Sequence, residues 1–195
     1  MGRLFACAVL GILTACVRID LAGASPGGSD PGRWSISAFG AYSPTAFGGD
    51  TDGSTFPGLA VTPVIGAHWS LRTQVQHFAY SDYPDAGPAH FTPVGVGARY
   101  RIRATGFGPF LQAIPTIIVS KWGGSETGIS RVRPGAEVAA GVSIATTTRT
   151  AVELSAGYLV SSSAGSVRTF DAPATEFDGL SQTLLRVELS VAFGH

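Results

Sequence analysis

Leu185-Arg186-Val187-Glu188-Leu189-Ser190-Val191-Ala192-Phe193 decides the fold. Successive side chains of an extended strand point to opposite faces. Leu185, Val187, Leu189, Val191 and Phe193 therefore share one face, and Arg186, Glu188, Ser190 and Ala192 share the other. No helical period accommodates this alternation, so the stretch reads as a strand with one apolar and one polar side.

The same period of two recurs upstream. It predicts strands over 34–42, 58–67, 71–80, 91–102, 107–119, 132–144 and 150–160. The connections alternate in length. Those at His68-Trp69-Ser70, Arg103-Ala104-Thr105-Gly106 and 145–149 are short, whereas 43–57, 81–90, 120–131 and 161–181 are long. Short turns on one rim and long loops on the other describe an all-β chain, an eight-stranded antiparallel up-and-down transmembrane β-barrel. An even number of strands returns both ends to the short-turn rim. Pro63, Pro93, Pro109, Pro115 and Pro134 fall inside these strands, where a missing N–H marks an edge or a bulge.

Composition narrows the surroundings. The 195 residues suffice for one domain. Net charge is zero, so there is no general attraction for nucleic acid. Charged residues make up 13%, against about 25% in ordinary soluble domains, and Lys121 is the sole lysine. At the start, Arg3 precedes an apolar run over 4–17 that Arg18 ends. The run is shorter than the roughly 20 residues a spanning helix needs, and it suits an export signal. Ala22-Gly23-Ala24 fits a cleavage site, giving a signal peptide over 1–24, a Gly/Pro-rich lead-in over 25–33 and the barrel over 34–193. Leu13-Thr14-Ala15-Cys16 offers a competing lipoprotein site at Cys16. Cys7 and Cys16 both lie in the leader, so the remaining chain has neither a disulfide framework nor thiol chemistry.

Residue size and charge decide which face looks outward. The polar parity is rich in Gly, Ala, Ser and Gln and carries few charges, unlike a water-facing surface. An eight-stranded lumen is just wide enough for side chains. Arg99, Arg101, Arg133 and Arg186 are expected inside it, paired with Glu137, Glu153 and Glu188, because unpaired charges there are costly. Arg72, Arg103 and Arg149 are placed near the short turns. Trp34, Trp69, Tyr100, Phe107 and Phe193 fall toward the short-turn rim, and Tyr42, Tyr80, Tyr83, Phe91, Trp122 and Tyr158 toward the long-loop rim. Two such belts suit the two interfaces of a membrane.

With its leader, alternating strands, alternating connections and a last strand ending Val187-Glu188-Leu189-Ser190-Val191-Ala192-Phe193, the chain resembles small bacterial outer-membrane β-barrels of the OmpA transmembrane-domain, opacity and porin-family type. The resemblance covers 34–193. It implies an outer-membrane location with periplasmic termini, and contact with outer-membrane lipid and lipopolysaccharide. It also implies recognition by the barrel-assembly machinery through a final aromatic, here Phe193. Gly194 and His195 follow Phe193 and depart from the usual ending.

Evidence for chemistry is thin. His68-Trp69-Ser70 has the His-x-Ser spacing of an outer-membrane lipid A deacylase, but it lies in a short turn, away from an outer-leaflet substrate. His77 reads as interfacial, His90 as a loop residue and His195 as the chain end. Asp50-Thr51-Asp52-Gly53-Ser54 begins like a calcium loop and lacks its closing Glu. The long loops are acidic enough to suggest divalent-cation binding. No phosphate-cradling Gly loop and no basic aromatic patch occurs. The expectation is a non-enzymatic barrel, structural, surface-exposed or narrowly porin-like, acting through four long external loops, with no catalytic, cofactor or metal residues. A lipid-modifying enzyme and a soluble ligand-binding barrel are the competing readings.

Overall fold

The computed structural model describes residues 32–43, 54–83, 87–102, 107–122, 129–162, 165–167, 175–177 and 181–193. The expected signal peptide, both processing sites, nearly all of the lead-in and residues 50–53 of the calcium-like segment lie outside these. Among the described residues eleven strands form, in chain order: β1 (Trp34–Ser43), β2 (Ser54–Pro63), β3 (Trp69–Gln76), β4 (Phe78–Tyr83), β5 (Gly87–Arg101), β6 (Gly108–Trp122), β7 (Ile129–Ala145), β8 (Thr150–Ser161), β9 (Gly165–Val167), β10 (Thr175–Phe177) and β11 (Ser181–Phe193). β3 and β4 are one wall strand interrupted at His77, whose amide donates to the Pro57 carbonyl at 3.1 Å. β9 and β10 form a small hairpin within the connection between β8 and β11.

Every wall strand pairs antiparallel with its neighbours, and β3 pairs with both β2 and β5. The first and last wall strands pair from Trp34↔Phe193 to Tyr42↔Leu185. The sheet is thus a closed eight-stranded antiparallel barrel, and closure removes the edge a flat sheet would expose.

Several strand limits differ from expectation. The second strand runs Ser54–Pro63, not 58–67, because residues 55–62 alternate in register with β1 and Pro63 ends the ladder. The expected loop over 81–90 is largely strand: β4 continues to Tyr83 and β5 begins at Gly87. His90 accordingly lies in β5 and not in a loop. Its neighbours Ala89 and Phe91 are buried, so the inward face continues past the predicted boundary.

The prolines have distinct positions. Pro63 ends β2, and the carbonyls of Pro109 and Pro134 accept from Ile102 and Ser162 beside the ladder. Pro115 interrupts a ladder. The β5–β6 pairing stops at Gly95↔Thr116 and resumes at Ala98↔Ala113, without a shift of register. A proline has no N–H to give at this point. Across the gap the backbones close up: a Cβ on Gly97 would stand 2.1 Å from the Ala113 carbonyl oxygen and 2.5 Å from Ile114 Cα. Gly97 is required by close approach.

Gly97→Ala is therefore expected to cost about 1–3 kcal/mol, because backbone must move to admit the methyl group. A Cβ on Gly40 would meet only Thr55 Cγ2, at 3.9 Å, and Gly40→Ala should stay within about 0.5 kcal/mol of the parent. Urea titration followed by tryptophan fluorescence compares the two.

Candidate functional site

The side chains with chemistry are inside the cylinder. Inward positions alternate with outward ones along each wall strand, so Arg186 and Glu188 point to the lumen while Leu185, Val187 and Leu189 point away. Arg72 Nη1 and Nη2 donate to the two carboxylate oxygens of Glu188 at 2.8 and 2.7 Å. Arg186 makes the same fork with Glu137, at 2.9 and 3.0 Å. Arg99 Nη1 donates to Glu153 at 2.6 Å, and Arg101 reaches the other Glu153 oxygen at 3.5 Å. Paired, bidentate contacts of this kind are what allow ionised groups to leave water.

Two glutamines join these pairs into one network. Gln74 accepts from Arg72 Nε at 2.9 Å and donates to Glu137 at 2.7 Å. Gln112 accepts from Arg99 Nη2 at 3.0 Å and donates to Glu137 at 2.9 Å. Glu137 is the hub, with four hydrogen-bond donations from three side chains. Aromatic faces complete the packing. The Phe39 ring lies 4.4 Å from the Arg186 guanidinium, and Phe110 lies 4.2 Å from that of Arg99. The Phe39 ring occupies the space a Cβ on Gly58 would need, 2.2 Å away.

The expected lumen residues Arg99, Arg101, Glu137, Glu153, Arg186 and Glu188 thus lie together, with Arg101 the most exposed of them. Arg133 is buried nearer the long-loop end, where it donates to Ser120 Oγ at 3.2 Å and the Ser162 carbonyl at 3.3 Å. Sequence reasoning placed Arg72 near a short turn but left it out of the ionic network, in which it is fully buried and paired with Glu188. The signal was available, since Arg72, Gln74 and Gln76 share one parity of the third strand. A second layer was missed outright. Phe56, Phe78, Phe91, Ile118, Leu159 and Leu184 are all buried, and they fill the lumen on its long-loop side. Phe56 and Phe78 approach to 4.4 Å between ring centroids. An ionic layer and an apolar one thus follow each other along the lumen.

The outer surface inverts the usual arrangement. Leu59, Val96, Leu111, Ile117, Val138, Leu154 and Leu189 are all exposed. Aromatic residues mark the short-turn rim: Trp34 stacks on Phe193 at 4.7 Å, and Trp69 packs on Tyr100 at 4.9 Å. At the other rim Tyr42 and Tyr158 are exposed, and the Tyr158 hydroxyl bonds Ser181 Oγ. Phe91 does not belong to that belt, because it points inward. The side chains of Tyr80, Tyr83 and Trp122 lie outside the described set. Trp34 and Tyr42 are eight residues apart on one strand face. That is about 27 Å along the strand and about 21 Å along an axis tilted by roughly 40°.

His68 and Ser70 are not assembled for catalysis. His68 Nδ1 donates to the Arg101 carbonyl at 2.8 Å. Ser70 Oγ is buried on the inward face with no hydrogen-bond partner. Among the described residues no three His, Cys, Asp or Glu side chains gather as a metal site.

No protein-family model matches the sequence, and no curated protein does. Solved structures do match the fold. Neisserial surface protein A superposes with a TM-score of 0.65 at 15% identity, over 83% of this chain and 99% of that one. The outer membrane protein OprG of Pseudomonas aeruginosa gives 0.62 at 12% identity, over 87% and 99%. The N-terminal β-barrel domain of OprF from the same organism gives 0.56 at 14%, over 84% and 98%. At these identities the likeness is one of fold.

Removing a single partner from the network strands a buried charge. Glu188→Ala is expected to cost about 3–5 kcal/mol in unfolding free energy. The double variant Arg72→Met/Glu188→Leu should cost less than either single change, because it removes both charges and keeps volume. A double-mutant cycle by chemical denaturation reads the coupling.

Proposed function

We propose that this chain is a non-enzymatic β-barrel of the bacterial outer membrane, with its wall in lipid and both termini on the periplasmic side. One observation carries the reading: large aliphatic side chains cover the outside of a closed sheet whose inside holds arginines and glutamates. In water this polarity would expose a continuous apolar surface far beyond what soluble proteins tolerate. In hydrocarbon it is the favourable arrangement. A soluble ligand-binding barrel would need the opposite polarity.

The filled lumen favours a structural or surface-exposed role over conduction. On this reading lipopolysaccharide and other outer-membrane lipids surround the wall, and contacts with further partners fall to the connections at the long-loop end. These are unequal: only residues 84–86 separate β4 from β5, whereas the span between β8 and β11 carries its own hairpin. Of the four long loops expected, the one at 81–90 is thus the shortest connection. Phe193, stacked on Trp34 where the sheet closes, is the residue for the assembly machinery to read. The unassembled His68 and Ser70 weaken the deacylase alternative.

The protein is expected to fractionate with outer membranes and to migrate faster on gels before boiling than after. Leu154→Arg separates the environments. On the lipid face it should cost about 2–4 kcal/mol, whereas on a water-exposed surface it would be neutral. Recovery in the aqueous fraction, with a harmless Leu154→Arg, would overturn the membrane reading. Unaltered acyl chains after incubation with lipopolysaccharide are the expected result for a non-enzyme.

A further inference from the structure

Among the described residues the outward wall is almost uncharged, with one exception. His77, His90 and Lys121 all point outward on neighbouring strands. His90 and Lys121 are direct partners in the β5–β6 register. The His77 and His90 rings stack with centroids 5.5 Å apart. Opposed residues of an antiparallel pair hold their Cβ atoms about 5 Å apart, so the three groups converge on one small patch. His77 Nδ1 is engaged by Thr92 Oγ1 at 3.0 Å, which fixes the ring and leaves Nε2 for an outside partner. No carboxylate pairs with Lys121 among the described residues.

The height of the patch is informative. Along β3 the exposed aliphatics Leu71 and Val75 lead to His77. On β5, Val96 and Val94 lead to Thr92 and His90, and on β6, Ile117 and Val119 lead to Lys121. Each basic side chain sits where the aliphatic band stops, at the long-loop end. Elsewhere on the wall the corresponding rim positions are neutral, as with Tyr42, Thr55 and Ser181. A cluster of N–H donors and one ammonium at the edge of the hydrocarbon faces headgroups, not acyl chains.

We propose that His77, His90 and Lys121 form a binding site for the phosphate of an anionic lipid headgroup in the leaflet at the long-loop end. The inference rests on the membrane reading above and names a partner for one side of the wall. An ammonium supplies a point charge to a phosphate, and imidazole N–H groups add directed hydrogen bonds.

Native mass spectrometry of the full chain in neutral detergent tests it, with diphosphoryl lipid A as the probe. The barrel should retain one such lipid. Its dephosphorylated counterpart should be retained far less, and inorganic phosphate should not displace the lipid. The triple variant His77→Asn/His90→Asn/Lys121→Gln should lose retention on the order of tenfold or more, and Lys121→Gln alone about fivefold, the effect of one cation at an anionic surface. Lys121→Gln alters an exposed side chain, so it decides the matter if the triple variant does not fold. Equal retention by parent and variants, equal retention of the dephosphorylated lipid, or displacement by inorganic phosphate would each overturn the site. A barrel that inserts and keeps its heat-modifiable mobility, yet ignores the phosphate, fails this inference alone. One that stays in the aqueous fraction fails the membrane reading.

Discussion

A guanidinium shut inside a closed sheet needs a strong acceptor in place of water, and a carboxylate meets that need best. The fork between Arg186 and Glu137 meets that demand, and the rest of the interior is arranged around it. Glu137 has two oxygens, and four hydrogen bonds reach them. The two amides that supply the remaining bonds are themselves held by Arg72 and Arg99. The Glu137 carboxylate is thereby satisfied by groups that would otherwise need partners of their own, and low local polarity strengthens every link.

The same constraint explains the outside. Ions and amides take up the middle of the lumen, and Phe56, Phe78, Phe91, Ile118, Leu159 and Leu184 take up its long-loop side, which leaves no inner volume for the other aliphatic side chains. They occupy the opposite parity and must meet a solvent that accepts them. The polarity of the sheet is thus a single decision expressed on two faces. The aromatic residues at the rims follow from it, since Trp34, Trp69 and Phe193 lie where apolar and polar surroundings meet.

Much of this was legible from residue order. Strict alternation in 185–193 gave both the strand and its two faces, and the placement of Arg186 and Glu188 followed directly. Alternation is less informative at strand ends, where polar residues belong equally to loop and strand. For that reason 81–90 read as a connection, although β4 and β5 pair through it. The inward phenylalanines were hidden for a different reason. Parity arguments sort residues by polarity, and Phe56, Phe78 and Phe91 sit on the polar side. Arg72 was hidden by proximity to a predicted turn, and its true partner, Glu188, lies 116 positions away in the chain. Pairings at that distance are set by closure of the cylinder and have no local trace.

That separation also bears on how the molecule comes into being. The principal ionic contacts run between strands that are not neighbours in the sheet: β3 to β11, β5 to β8, and β7 to β11. Arg72 and Glu137 belong to earlier strands, and Glu188 and Arg186 to the last, so an unfinished wall holds a cation and a carboxylate without the partners they have in the finished barrel. Until the final strand arrives, water must remain inside the growing cavity. Dehydration of the interior is consequently tied to the zipping of the last seam.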